Sequence, residues 1–272
     1  MSSKDLTLSL SAHAATLSQK KWAGFFSLSL REIERFLTMK SMTVFPPLIS
    51  TALYIIVFGF FMGRQIVDIH GFSYIMFILP GLLLMSVTMN AFMNASSILY
   101  MARYDQTIQD VLLSPLSYFQ IVSAYTVSSI VRGVLVGVLV CVAGVLLVRM
   151  PIHSPAILLL FLMISAQVFG SFGIMIGLRA EHWEHIAIYI NFVVTPLTFL
   201  GGVFYSVSLL PPWLKTLNLL NPMFYMVNGL RYGILGISEV SILGSFLITL
   251  LLGSTLLGIT VYLFKIGYKL KT

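Results

Sequence analysis

Residues 121–148 carry a single charge, Arg132, in 28 positions. That run is longer than the roughly 20 apolar residues with which a helix crosses a hydrocarbon core about 30 Å thick. A backbone in lipid has no water to bond, so such a segment must satisfy its own N–H and C=O groups as a helix. Five more apolar runs lie at 44–62, 72–99, 155–178, 186–204 and 242–264. Hydrophobic residues make up 58% of the chain and charged residues 9%, a composition that excludes a soluble core. The expected fold is an all-α polytopic membrane protein with six spans. Pro46-Pro47 mark entry to the first span, and Pro80-Gly81 a kink in the second.

The net charge of +7 is no nucleic-acid signal, because the basic residues gather at the two chain ends. With six crossings and an internal start, eleven lysines and arginines fall inside. Four fall outside, Arg64, Arg149, Lys215 and Arg231, with Arg132 unassigned. The positive-inside rule therefore puts both termini in the cytoplasm. Ala12-His13-Ala14 mimics a cleavage site, but the segment before it is too short and polar for a signal peptide. Residues 22–39 mix apolar and charged positions at helical spacing, as an amphipathic interfacial helix does. A solvated helix is the alternative. The chain divides into an N-terminal cytoplasmic segment (1–41), a transmembrane domain (42–268) and a cytoplasmic tail (269–272).

One apolar stretch refuses a simple crossing. Residues 205–236, approached through Gly201-Gly202, contain Pro211-Pro212 and Asn221-Pro222, each placing a proline at a helix first turn. Asn221 is a natural N-cap, and Gly236 a stop. The pieces are too short to span, so they are expected to form an external re-entrant hairpin before the sixth span, with Arg231 inside it. A loop lying on the headgroups is the alternative.

The polar loop 103–115 carries Asp105, Gln106, Ile108, Asp110, Val111, Leu112 and Pro115. Ile108, Val111 and Leu112 fall at i, i+3, i+4 and share one helix face. Pro115 disfavours helix at Ser114. A short amphipathic helix between two spans is expected to dock a soluble partner through that apolar face.

Other candidates are weaker. Tyr54, Phe58, Phe204, Tyr205, Phe224 and Tyr225 either line a path for amphipathic cargo or belong to interfacial belts. Arg132 is either buried with a function or snorkels to the inner interface. Glu181, His182, Glu184 and His185 form a dense polar turn without the H-E-x-x-H spacing, and no metal site or catalytic site is expected. Four small-residue pairs, Gly59/Gly63, Gly133/Gly137, Gly173/Gly177 and Gly229/Gly233, permit close helix packing. Cys141 is alone and forms no intrachain disulfide. No Lys-Ser/Thr pair follows a glycine, so there is no Walker A loop, and any ATP must bind another chain.

The stretches FILPGLLLMS (77–86), DQTIQDVLLSP (105–115) and the run from TPLTFLGGVFYS through LLPPW and LNPMFYM to GLRYGILG (195–236) resemble the ABC-2 permeases, the membrane subunits of type-2 ABC exporters. The likeness is to the YadH-like subgroup of bacterial inner-membrane permeases and covers most of residues 20–268. It implies six spans, an N-terminal interfacial helix, a coupling helix at 105–115 and an external hairpin after the fifth span. It also implies a homodimer in the bacterial inner membrane, bound to two copies of an ABC ATPase that holds ATP and Mg. Membrane lipids surround it, and nucleic acid has no part. Members export lipids, glycans, drugs and other amphipathic compounds. A membrane-embedded lipid-modifying enzyme and a passive channel are the rival readings. The first wants convergent acids and histidines inside the spans. The second wants a polar stripe along one.

Overall fold

The computed structural model describes residues 22–38, 40–58, 69 and 71–270. Among these the chain is helical, with one isolated β-bridge, Ile69 to Phe72. The first helix, α1 (Trp22–Thr38), is followed by α2 (Lys40–Ile55), and the chain bends by 58° between Trp22–Thr38 and Thr43–Phe58. Pro46 and Pro47 sit inside α2 rather than before it. Neither can donate to a carbonyl four residues back, which loosens the ladder on the α1 side. The Thr43 hydroxyl reaches over the bend to the Phe36 carbonyl at 3.3 Å.

Four helices among the described residues are long and apolar enough to cross a membrane: α3 (Tyr74–Tyr104), α5 (Tyr118–Val148), α6 (Pro155–Arg179) and α11 (Ile242–Lys265). The bent pair α1–α2 makes a possible fifth. The expected continuous span over 186–204 is broken instead. It consists of α7 (Trp183–Tyr189), a π-helical turn (Ile190–Val194) and α8 (Thr195–Phe199). Pro196 has no N–H for the regular ladder at that point, and the backbone widens to i→i+5 bonding before it. The short α4 (Ile108–Leu113) links α3 to α5, while α9 (Pro212–Leu220) and α10 (Pro222–Leu235) lie between α8 and α11.

Lipid tails are as apolar as leucine, so close packing rather than water exclusion drives helix association here. The glycine pairs supply it. A Cβ on Gly173 or Gly177 of α6 would stand 2.5 or 2.6 Å from the Phe92 and Ser96 carbonyl oxygens of α3. Gly133 and Gly137 of α5 face Ala166 and Leu162 of α6, and Gly229 and Gly233 of α10 face Phe161 and Leu158 of the same helix. The pair Gly59/Gly63 lies outside the described residues. Thus α3 and α6 form the central pair, with α5, α10 and α11 around them. The outer faces of α5 and α11 stay apolar and exposed, as at Leu146 and Leu251. Cys141 is free and buried.

Candidate functional site: the two ends of the bundle

Helix α3 carries 31 residues, about 46 Å at 1.5 Å per residue. Its C-terminal end feeds α4, and its N-terminal end meets the stretch that follows α8. The Tyr74 hydroxyl donates to the Phe204 carbonyl at 3.1 Å. Gly81 admits Val203, whose Cα would lie 2.8 Å from an added Cβ. The two segments singled out by the sequence therefore occupy opposite ends of one helix, which runs on through Pro80 in its interior.

At the α4 end, Gln106 takes a positive φ of 58° to turn the chain. Ser114 is extended at ψ 156°, as its proline neighbour demands. The apolar face is not free, contrary to the expectation from its spacing. Ile108 and Val111 are buried in the chain's own core with Leu28, Ala95, Ile98 and Ile121. Leu112 is half-buried against the same cluster. Asp105, Gln106, Gln109 and Asp110 face outward, with Leu113 86% exposed. The period-3.6 pattern identifies which side of the helix is apolar, but not what covers it. A capping box, with the Ser117 side chain on the Gln120 N–H and Gln120 reaching back, starts α5 immediately after Pro115.

Neighbouring groups brace this end. Arg103 Nη1 donates to the Gly177, Leu178 and Ala180 carbonyls at 3.3, 2.6 and 3.0 Å, covering the C-terminus of α6. Lys269 of the tail bonds Glu181. That contact holds the Glu181 carboxyl below the ordinary glutamate range, first through the hydrogen bond and then through the ammonium charge. His182 and His185 meet edge to face at 5.5 Å, and His185 Nδ1 accepts from the Glu181 N–H. Glu184 begins α7. Among the described residues no group of three or more His, Cys, Asp or Glu is placed to hold a metal ion.

At the other end the sequence signals read true locally. Pro211 caps α9, Pro212 is its first residue, and Asn221 Oδ1 accepts from the Met223 N–H at 2.9 Å at the start of α10. Asn221 Nδ2 also donates to the Leu197 carbonyl at 2.7 Å, tying the hairpin to α8. Gly236 ends α10 at φ 76°. Gly201 gives way to Met223, and Gly202 turns at φ 75°. Most of α10 is buried in the bundle rather than laid on its surface, while α9 exposes Trp213 and Leu220.

Arg231 is 1% exposed and is no free interfacial cation. Its Nη2 donates to the Gly202 carbonyl at 2.8 Å, its Nη1 to Glu239 Oε1 at 3.1 Å, and its guanidinium lies 3.9 Å over the Phe77 ring. Ser206 Oγ donates to the same Glu239 oxygen. Asn228 accepts from the Glu239 N–H and donates to the Val240 carbonyl and Ser245, locking the connector to α11. Glu239 escaped the sequence reading, and Phe77 and Asn228 entered it only as members of longer stretches. A lone acid eight residues after a lone arginine was the available signal for the ion pair.

The aromatic candidates separate. Tyr54, Phe58 and Phe204 converge, with ring centroids 6.2 Å apart for Tyr54–Phe58 and 5.6 Å for Phe58–Phe204, joined by Tyr74 and Phe199. Phe224 is in the core at 1% exposure. Tyr205 and Tyr225 use their hydroxyls on the Leu200 and Leu219 carbonyls and so fix the hairpin backbone. Arg132 is half-buried, with Nη1 on Asn94 Oδ1 at 3.2 Å and the Phe36 ring of α1 5.9 Å away.

A model of the ABC-2 type transporter family matches residues 23–235. The chain is 40% identical over 225 residues to the inner membrane transport permease YadH of Escherichia coli (strain K12), covering 83% of this chain and 88% of that one. The YadH permease of Shigella flexneri matches with the same identity and coverage. With a short helix held outward at one end of α3 and a proline-started helix pair packed at the other, this chain belongs to the ABC-2 type transporter family.

Proposed function

We propose that this chain is the permease subunit of an ATP-driven exporter in the bacterial inner membrane. It moves an amphipathic, lipid-like, glycan or drug-like compound out of the cytoplasm or inner leaflet. Two copies form the pathway, and two copies of a separate ABC ATPase, which hold ATP and Mg, drive it. In this reading α1 is the interfacial helix on the inner surface, the six spans are those of α2, α3, α5, α6, α7–α8 and α11, both termini are cytoplasmic, and α9–α10 re-enter from the external face.

The observation that carries the proposal is the single helix α3 joining the two ends. Arg103 and Tyr104 adjoin α4, while Tyr74, Phe77 and Gly81 hold Phe204, Arg231 and Val203. Movement of α4 by an ATPase would shift α3 as a rigid body and pull on the hairpin, a mechanical link between nucleotide state and gate. The contact surface is then Gln109, Asp110 and Leu113 of α4 with Asp105 and Gln106 of the turn before it, and Ile108 and Val111 fix the helix to its own permease. Tyr54, Phe58 and Phe204 are the pathway aromatics of this reading.

The test is co-purification of the tagged permease with an ABC ATPase encoded beside it, followed by ATP hydrolysis in nanodiscs. Hydrolysis that depends on the permease and is lost with a Walker A lysine variant of the ATPase is expected. A permease that purifies alone and conducts ions without nucleotide would overturn the proposal in favour of a channel. Cysteines at His153, Lys215, Gln109 and Lys269 in a Cys141→Ala background check the orientation. The first two should label from outside, and the last two only after permeabilisation.

A further inference from the structure

A cavity of about 610 Å³ opens at the hairpin end, between α9, α10 and the connector to α11. We propose that it binds a single-chain anionic amphiphile, with the acidic head on Lys215 and the chain along Leu219, Ile237 and Val240. Its volume is within the roughly 300–1,000 Å³ of small-molecule pockets. Its walls combine that apolar floor with three charged groups: Lys215, Arg231 and Glu239.

The charges decide the ligand's sign. Arg231 and Glu239 neutralise each other at 3.1 Å. The Lys215 side chain has no hydrogen-bond or ion-pair partner among the described residues, so the lining carries one unbalanced positive charge. The Phe77 ring already holds the Arg231 guanidinium at 3.9 Å, a contact that a cationic ligand would have to displace. Arg231 Nε is buried and lacks an acceptor among the described residues. Buried donors are normally satisfied, and an acid head brings oxygen acceptors to this wall. Charge complementarity of this kind selects the head group, while the apolar floor supplies area for a chain. The proposal concerns binding alone, so it stands or falls independently of ATP-driven export.

The experiment uses the full chain in phosphatidylcholine nanodiscs and a diazirine-bearing dodecyl phosphate, with labelled residues mapped by mass spectrometry. Labelling should fall in residues 215–240, and unlabelled dodecyl phosphate should displace it. Inorganic phosphate at the same concentration should not, since a head without a chain leaves the floor unfilled. Lys215→Glu should weaken labelling about tenfold, a difference of roughly 1.4 kcal/mol, and should raise labelling by a diazirine-bearing dodecylamine. Lys215→Arg should retain the phosphate probe. Because a merely destabilised hairpin would lose both probes, the exchange of preference separates binding from folding. The proposal is overturned if Lys215→Glu labels as the parent does or loses both probes. It is also overturned if inorganic phosphate competes as well as dodecyl phosphate, or if label spreads evenly over α5 and α11.

Discussion

Arg103 Nη1 lies 2.6 Å from the Leu178 carbonyl oxygen, so a side chain at the end of α3 closes the end of α6. The last carbonyls of a helix have no partner of their own and carry the negative end of its dipole. A fixed guanidinium meets both needs. Arg103→Ala should lower stability by about 1.5–3 kcal/mol, the range for hydrogen bonds to charged groups. A denaturant titration of the detergent-solubilised protein measures it. Arg103→Lys should recover part of the loss, because one ammonium cannot reproduce the planar fork. Equal losses in both variants would mean that the charge contributes nothing here.

The two sides of α4 should respond differently. Ile108→Asp buries a carboxylate without a partner in the permease core, at a cost of several kcal/mol. Low yield of folded protein is expected. Leu113→Asp alters a side chain that is 86% exposed and should leave folding within about 0.5 kcal/mol. If α4 docks an ATPase, Leu113→Asp combined with Asp110→Lys should still insert, yet should retain less ATPase on co-purification. Undiminished retention would place the docking surface elsewhere.

Acid should release the tail. The Lys269 contact lowers the Glu181 carboxyl below its ordinary 4.5. A depressed carboxylate contributes its stability above 4.5, and that contribution disappears as pH falls through the lowered folded value. The pair is exposed, so the effect is small and weakens further with salt. A fluorophore on Ile266→Cys in a Cys141→Ala background, quenched while the tail is held, should brighten below pH 4.5. Glu181→Gln should be bright at every pH. A step that survives in Glu181→Gln would assign the release to another group.

What could be read in advance follows from where the determining contacts lie. Asn221-Pro222 and Gly236 set helix boundaries through their own backbone chemistry, so the structure places them where the sequence indicates. Ser114-Pro115 is equally local. Ser117 and Gln120, three apart, spell a capping box that the reading passed over. The π-turn before Pro196 was also encoded locally, but hydropathy sees only an apolar run and is blind to a widened ladder. Burial of Ile108 and Val111 depends on Leu28 and Ala95, residues distant in sequence, and no helical period contains that information. The same holds for Arg231, whose surroundings include Gly202, Phe77 and the connector. The family resemblance singled out residues 105–115 and 195–236; only the structure distinguishes which of their side chains hold the fold and which face outward.

The Arg231–Glu239 pair offers the sharpest energetic test. Arg231 is 1% exposed and Glu239 12%, at 3.1 Å. Removing one member of a buried pair leaves an uncompensated charge and typically costs about 3–5 kcal/mol, whereas replacing both by apolar groups is often close to neutral. Glu239→Ala should therefore be severe, because it strands the guanidinium and also removes the acceptor for Ser206. Glu239→Gln should be milder, since an amide oxygen still accepts both hydrogen bonds. The double variant Arg231→Met with Glu239→Leu should recover much of the loss, although the Gly202 carbonyl then loses its donor. A double-mutant cycle built on Glu239→Leu and Arg231→Met, read by the same denaturant titration, isolates the coupling. Residues this close should show strong non-additivity, with the double variant more stable than the sum of the single losses allows. Strictly additive losses would mean that Arg231 is held by Phe77 and Gly202 alone, and that Glu239 serves the connector rather than the charge.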